Sequence, residues 1–300
     1  MKMLQTKKEI SDWLDFNEIK KYTISEDLTV DVKGNVILSR KALYGLPVRF
    51  NSVSGNFMCD SNKLSSLKNC PVKVGGYFNC SNNELTELNF QLAVVNSFSC
   101  SNNNLVNLNG CPTIKGGDFN CSFNKINSLK GSPKNVRKFN CRNNRLKSLF
   151  GCPEEVAGTF VCSYNELINL VGGPKKVLSF ICSDNKITSL LGCPEEIVGD
   201  FWCMDNKITS LMNGPKNVGG DFRLDKNNLK DLSNVLGSIG GFITFKKNSV
   251  VFDFTPYWDE DYKSYRLKLF ELNNVILNKK LIEDKELLGN SVMLVKRGKI

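Results

Sequence analysis

Residues 153–170 read Pro153-Glu-Glu-Val-Ala-Gly-Thr-Phe160-Val-Cys162-Ser-Tyr-Asn165-Glu-Leu167-Ile-Asn-Leu170, and the pattern of this stretch recurs along most of the chain. Phenylalanine returns at 57, 78, 98, 119, 139, 160, 180, 201, 222 and 242, at intervals of 20 or 21 residues that alternate from 57 to 201. Two residues after each of the first eight stands a cysteine, from Cys59 to Cys203, and Leu224 and Thr244 take that place in the last two. Five residues after each of the first nine comes an asparagine, from Asn62 to Asn227. Leu or Ile follows at seven, Leu at ten and usually Pro at fourteen. A fixed period of this length is the signature of a repeat architecture.

Alternation in Phe-x-Cys puts both side chains on one face of a short strand, which must be the buried face. A single coil is too small to bury that face, so stacked neighbours have to build the core. Asparagine inside the turn can satisfy backbone groups that the bend leaves unpaired, and stacked copies form a ladder. Val36-Ile-Leu38 through Leu46-Pro47 fits the same template 21 residues before Phe57, which predicts eleven coils with strand positions from 36 to 242. Cys70, Cys111, Cys152 and Cys193 lie 41 residues apart, each before a proline, and mark a double unit with a second packing column at a turn. The ladder cysteines are expected to pack as small hydrophobes.

Phe-x-Cys-x-x-Asn-x-Leu resembles the leucine-rich-repeat core, with Phe and Cys in its first two leucine positions. The Pro-x-x-Val approach is similar to the short bacterial repeat of type III secreted effectors. The chain also resembles cysteine-bearing repeat proteins encoded by large bacteriophages, which commonly read Gly-Cys-Pro-x-x-Val-Gly-Gly-x-Phe-x-Cys-Ser-Asn-Asn. The resemblance spans about residues 36 to 248. It implies an α/β solenoid, a leucine-rich-repeat horseshoe with a parallel concave β-sheet. It also implies expression inside an infected bacterium, and hence the bacterial host cytoplasm. Ubiquitin ligases of the effector type carry a nucleophilic cysteine in a helical domain after the repeats. Here no cysteine follows Cys203, so that activity is not expected.

Three segments follow from these readings: residues 1–35 as an N-terminal helix and hairpin cap, 36–248 as the solenoid, and 249–300 as a C-terminal cap or small module. From Thr6 to about Lys21, apolar residues at 10, 13, 14 and 16 have the period of a short amphipathic helix. Leu28 to Val32, a Lys-Gly-Asn turn and Val36 read as a hairpin. Towards the other end, Phe252 to Trp258 is aromatic-rich, 259–272 reads as a helix, and the remainder as short strands.

The 300 residues are 41% hydrophobic and 23% charged, a soluble composition, and no apolar run is long enough to span a membrane. The first ten residues carry no apolar signal core, so twelve cysteines read as reduced thiols of a cytoplasmic protein. A disulfide between neighbouring coils is conceivable in geometry but unfavoured there. The chain has no histidine, which removes the commonest general base, the Ser-His and Cys-His dyads and imidazole metal sites. No catalytic residue, metal or cofactor is expected, and the chain is read as a non-enzyme.

On a concave face the residues at minus one, plus one and plus three from each Phe point outward. Val161, Ile181, Trp202, Arg223 and Ile243 fall in the plus-one column, with Met204 and Phe245 at plus three. Strands about 4.8 Å apart would join them into one apolar patch, rimmed by Asp200, Asp221 and Asp225, suited to a protein partner. The alternative is that the C-terminal segment folds back over it. Residues 101–150 hold nine Lys or Arg against one acid, within a net charge of +10. Lys115, Lys125, Lys134, Arg137, Lys138, Arg142 and Arg145 form this basic belt, which offers a second reading as a nucleic-acid-binding module. Phe123 is its one aromatic exposed for stacking. The first reading is a protein-binding scaffold that engages or inhibits a host protein, such as a defence protein. A structural component of an assembly is the third.

Overall fold

Each coil turns twice because it carries two short apolar strand segments. One is the Phe-x-Cys pair. The other ends on a Val or Ile three to five residues before the next Phe, as in Val53, Val74 and Val95. In a computed structural model, residues 2–88, 94–230, 238–248, 258–259 and 264–268 are described. The chain divides into two units, Met1–Gly158 and Thr159–Ile300.

In the first unit the strands Val36–Ile37, Phe57–Met58, Tyr77–Asn79, Ser97–Ser99, Asp118–Asn120 and Lys138–Asn140 form a parallel sheet, called here the Phe sheet. A second sheet, the Val sheet, runs through Arg49–Val53, Lys73–Val74, Val94–Val95 and Thr113–Ile114, also parallel. The core lies between them. Phe57, Phe78, Phe98, Phe119 and Phe139 are buried, and successive rings are in contact, alternately stacked and tilted, with centroids 5.2, 5.5, 6.2 and 5.2 Å apart. The ladder cysteines and the two leucines of each coil fill the space around them. All twelve cysteines are free thiols.

The strand Glu155–Val161 leads the chain into the second unit, where Lys176–Ile181 is long enough to pair with two later strands. Its Val177 pairs with Ile197, while Phe180 and Ile181 pair with Phe201 and Trp202. Within this unit Phe201–Trp202, Phe222–Arg223 and Phe242–Thr244 form a parallel row at the Phe position, and Glu196–Ile197, Asn217–Val218 and Ser238–Ile239 a second parallel row that starts beside Val177. With Glu155–Val161 included, eleven strands among the described residues carry the Phe position, a solenoid of about ten turns. Among the described residues the coils contain no helix, so the expected α/β character reduces to the N-terminal helix.

The turn is built from asparagine. Asn83 Nδ2 donates to the carbonyls of Cys80 in its own coil, at 3.1 Å, and Cys59 in the coil before, at 3.0 Å. Its Oδ1 accepts from Leu64 N at 2.9 Å. The residue before it, Asn82, stands at positive φ, as do Ser61, Asn102, Phe123 and Asn143 in the same place. Further round, Gly110 has φ +81°, and a Cβ there would run into the carbonyl oxygen of Leu88, so only glycine fits.

At the N-terminus, helix α1 spans Lys7–Phe16 and starts on a capping box between Thr6 and Glu9. Ile10 and Leu14 are buried, whereas Phe16 is 81% exposed. The helix stops short of Lys21 because Glu18 and Lys21 adopt positive φ. The hairpin differs from expectation. Strand β1 (Tyr22–Ile24) pairs antiparallel with β2 (Thr29–Val32), which then pairs in parallel with Arg49–Val53. Val36 is not its second arm, because its strand belongs to the Phe sheet beside Phe57. At the other end, the expectation of a helix over 259–272 is corrected. Ser264–Lys268 is a strand, antiparallel to Phe242–Thr244 on one side and to Trp258–Asp259 on the other. The rest of the expected C-terminal module lies outside the described residues. Among the described residues no helix is long and apolar enough to cross a membrane.

Candidate functional site

The outward face of the Phe sheet changes character along the chain. In the first unit its central column holds Met58, Asn79, Ser99, Asn120 and Asn140, and the polar members bond to the residues at plus three. Ser99 Oγ lies 2.7 Å from Ser81 Oγ, and Asn120 Oδ1 accepts from Ser122 Oγ at 2.7 Å. In the second unit the same column holds Val161, Ile181, Trp202 and Arg223, all half-buried. Ile181 is in register with Trp202, and Trp202 with Arg223.

Arg223 and Trp202 form the centre of this face. The guanidinium carbon lies 4.5 Å from the indole ring centroid, a cation–π stack. Arg223 Nη2 donates to Asp221 Oδ2 at 3.1 Å. Trp202 Nε1 and Arg223 Nε are buried without a hydrogen-bond partner, as are Asp118 Oδ1 and Ser183 Oγ elsewhere, and each such group costs stability. The expected acidic rim is largely occupied in joining coils. Asp200 Oδ1 accepts from Asp221 N at 2.9 Å, Asp221 Oδ1 from Phe242 N at 3.1 Å, and Asp225 Oδ1 from Lys246 N at 2.6 Å.

Two residues expected on this face are not there. Ile243 and Phe245 are 0% and 3% exposed, in the core. Ile243 pairs with Phe222, and Thr244 with Arg223. The last coil therefore has 21 residues from Phe222 to Ile243, which takes the Phe position, while Phe245 takes the Cys position. Asn248 then lands on the asparagine ladder, donating to Leu224 O at 2.9 Å and Phe245 O at 2.8 Å. That asparagine, five residues after Ile243, was the available signal. Val161, Ile181, Trp202, Met204 and Arg223 remain on the outward face, with Thr244 closing it.

The basic belt separates into two groups. Arg137 is ion-paired with Asp118 at 2.9 Å, and Lys134 Nζ donates to Gly151 O at 2.9 Å, so both are engaged. Lys115, Lys125, Lys138, Arg142 and Arg145 are exposed. The guanidinium of Arg142 lies over the Phe123 ring, 5.9 Å from its centroid.

A further apolar surface escaped the columns followed in the sequence. Eleven residues after the Phe of each coil up to Phe119 stand polar side chains, Lys68, Asn89, Asn109 and Lys130, whereas from Phe139 onward the column reads Phe150, Val171, Leu191 and Met212. Leu191 and Met212 are exposed, and a shallow groove nearby is lined by Pro174, Val177, Cys193, Pro194 and Val198. Among the described residues, no group of three or more His, Cys, Asp or Glu is placed to hold a metal. Burial holds the Cys100, Cys111, Cys182 and Cys193 thiols well above the ordinary thiol range, and pushes Cys152 up to about 12.

A stack of parallel-stranded coils closed by an asparagine turn defines a β-solenoid. No family model and no curated protein matches the chain. Among solved structures it is similar to YopM from Yersinia enterocolitica WA-314, at 14% identity and a TM-score of 0.34, over 70% of this chain and 78% of that one. It is also similar to YopM of Yersinia pestis, titled a leucine-rich effector protein, at 17% identity and a TM-score of 0.39, over 73% of each chain.

Proposed function

We propose that this chain is a non-catalytic scaffold that captures another protein on the concave face of its second unit. The observation that carries the reading is the Trp202–Arg223 stack with Ile181 and Val161 in adjacent rungs. Aromatic and arginine side chains held rigidly at the centre of a patch are the typical anchors of protein interfaces. In the first unit the central column of that face is polar and hydrogen-bonded to neighbouring residues, and the Phe123–Arg142 pair sits among cations instead of apolar rungs. The partner in this reading is a host protein, such as a defence factor, met in the bacterial cytoplasm by a phage-type protein. The mechanism is steric capture: the patch anchors, and the charge of the first unit orients the approach. The N-terminal helix and hairpin, and the C-terminal strands paired to Phe242–Thr244, act as caps on the coil stack. Those strands extend the sheet in its own plane, which favours an open patch.

The test is capture from nuclease-treated bacterial lysate by wild-type protein and by Trp202→Ala, both verified as folded by circular dichroism. A protein held by the wild type should lose about 2 kcal/mol of binding, near thirtyfold, in the variant. Equal binding by the two would remove the patch from the interface.

A further inference from the structure

One position in the turn of every first-unit coil requires the left-handed backbone region. Ser61, Asn82, Asn102 and Asn143 meet that need with short polar side chains, Arg40 and, in the next unit, Tyr164 with long ones, and Phe123 takes the same place at φ +54°. A bulky side chain is strained there, but the repeat tolerates it in several coils, so what singles Phe123 out is its setting among cations. Phe123 is also 47% exposed, so its ring is not repaying the strain by filling the core. Above it lies the Arg142 guanidinium, 5.9 Å from the ring centroid. Lys125, Lys138 and Arg145 are exposed close by in the same two coils, and among the described residues none of these three is ion-paired. Between residues 119 and 147 there are eight Lys or Arg and no acid.

We propose that this strip binds single-stranded nucleic acid, with a base stacked on Phe123 and Arg142 and the phosphates held by Lys125, Lys138 and Arg145. Cations alone would suit any polyanion. The exposed, strained ring narrows the partner, because only a ligand with a free π-face gains from it. A duplex keeps its bases stacked and presents phosphates, and an acidic peptide has carboxylates but no base to stack. The strip belongs to the first unit and shares no residue with the Trp202 face, so the two proposals stand or fall separately.

The test is fluorescence anisotropy of the full chain with labelled oligothymidylate, oligouridylate and a mixed-sequence duplex, between ~50 and ~200 mM salt. Phe123→Asn installs the residue that Asn102 and Asn143 already place in this turn, so the variant should fold, and a thermal melt verifies it. Expected are tighter binding of a single strand than of the duplex and an about tenfold loss in Phe123→Asn at an unchanged salt slope. Lys125→Gln with Arg145→Gln should flatten that slope by about one and a half units. Trp202→Ala should bind as the wild type does. Preference for either oligonucleotide over the duplex supports the proposal. No binding at ~50 mM salt, equal binding of the duplex, or an unaltered affinity in Phe123→Asn would overturn it.

Discussion

Asn103 commits its whole side chain to the backbone of two coils. Its Nδ2 donates to the carbonyls of Cys80 at 3.1 Å, Cys100 at 3.1 Å and Ser101 at 3.2 Å, and its Oδ1 accepts from Leu85 N at 3.0 Å. Removing it strands several buried polar groups, and each one left unpaired costs ~1–3 kcal/mol. Asn103→Ala should therefore lower unfolding stability by about 2–3 kcal/mol in urea, while exposed Asn109→Ala stays within about 0.5 kcal/mol. Equal effects would mean the ladder is incidental to stability. The thiols give a second expectation at this scale. In the folded chain Cys80, Cys100, Cys121, Cys141, Cys182 and Cys203 keep their protons because burial disfavours the thiolate. The unfolded chain releases them near the ordinary thiol value of about 8.5. A folded pKa above the unfolded one means the contribution is complete below that value and is lost as pH rises. The melting temperature should fall between pH 8 and 10, and fall less in Cys100→Ala. A flat profile would show that the thiols ionise alike in both states.

Short elements explain where reading from the sequence succeeded and where it slipped. The Phe, Cys and Asn columns were legible because ten near-identical copies fix the period, and each column has one physical duty. The Val sheet was not read as a sheet, because strands such as Lys73–Val74 and Val94–Val95 are two residues long and carry no alternation of their own. Around Tyr22 to Val36 the turn chemistry misled: Lys-Gly-Asn looks like a hairpin turn, yet it is where the chain crosses from one sheet to the other. The helix expected over 259–272 gave way to a strand at Ser264–Lys268, which satisfies backbone groups at the edge of Phe242–Thr244. Phe242 was the decoy in the last coil, since it preserves the aromatic letter while Ile243 holds the buried place. The register can be tested directly. Ile243→Ala should cost about 2–4 kcal/mol as a buried truncation, and Phe242→Ala clearly less, because Phe242 is half-buried. The opposite ranking in thermal or urea unfolding would restore the 20-residue register, and with it Ile243 and Phe245 on the outward face.

For the whole molecule, the repeat makes stability and binding separable. Each coil hydrogen-bonds to the coils before and after it, as the Asn83 contacts with Cys59 and Leu64 illustrate, so coupling passes between neighbours. The 41-residue double unit is the natural quantum of removal, because it preserves both the alternation of 20 and 21 and the column of Cys70, Cys111, Cys152 and Cys193. Deleting residues 57–97 joins Asn56 to Phe98 and leaves one strand of the Phe sheet to meet the next equivalent one. The shortened chain should fold, with an m-value lowered roughly in proportion to the surface removed and a lower denaturant midpoint. Neither Trp202 with Arg223 nor Phe123 with Arg142 lies in the deleted segment, and none of them contacts it in the structure's paired columns. Affinity for the captured protein and for a single strand should therefore persist. A folded deletion protein that loses either activity would show that binding draws on the early coils. One that fails to fold at all would show that these coils nucleate the stack instead of merely lengthening it.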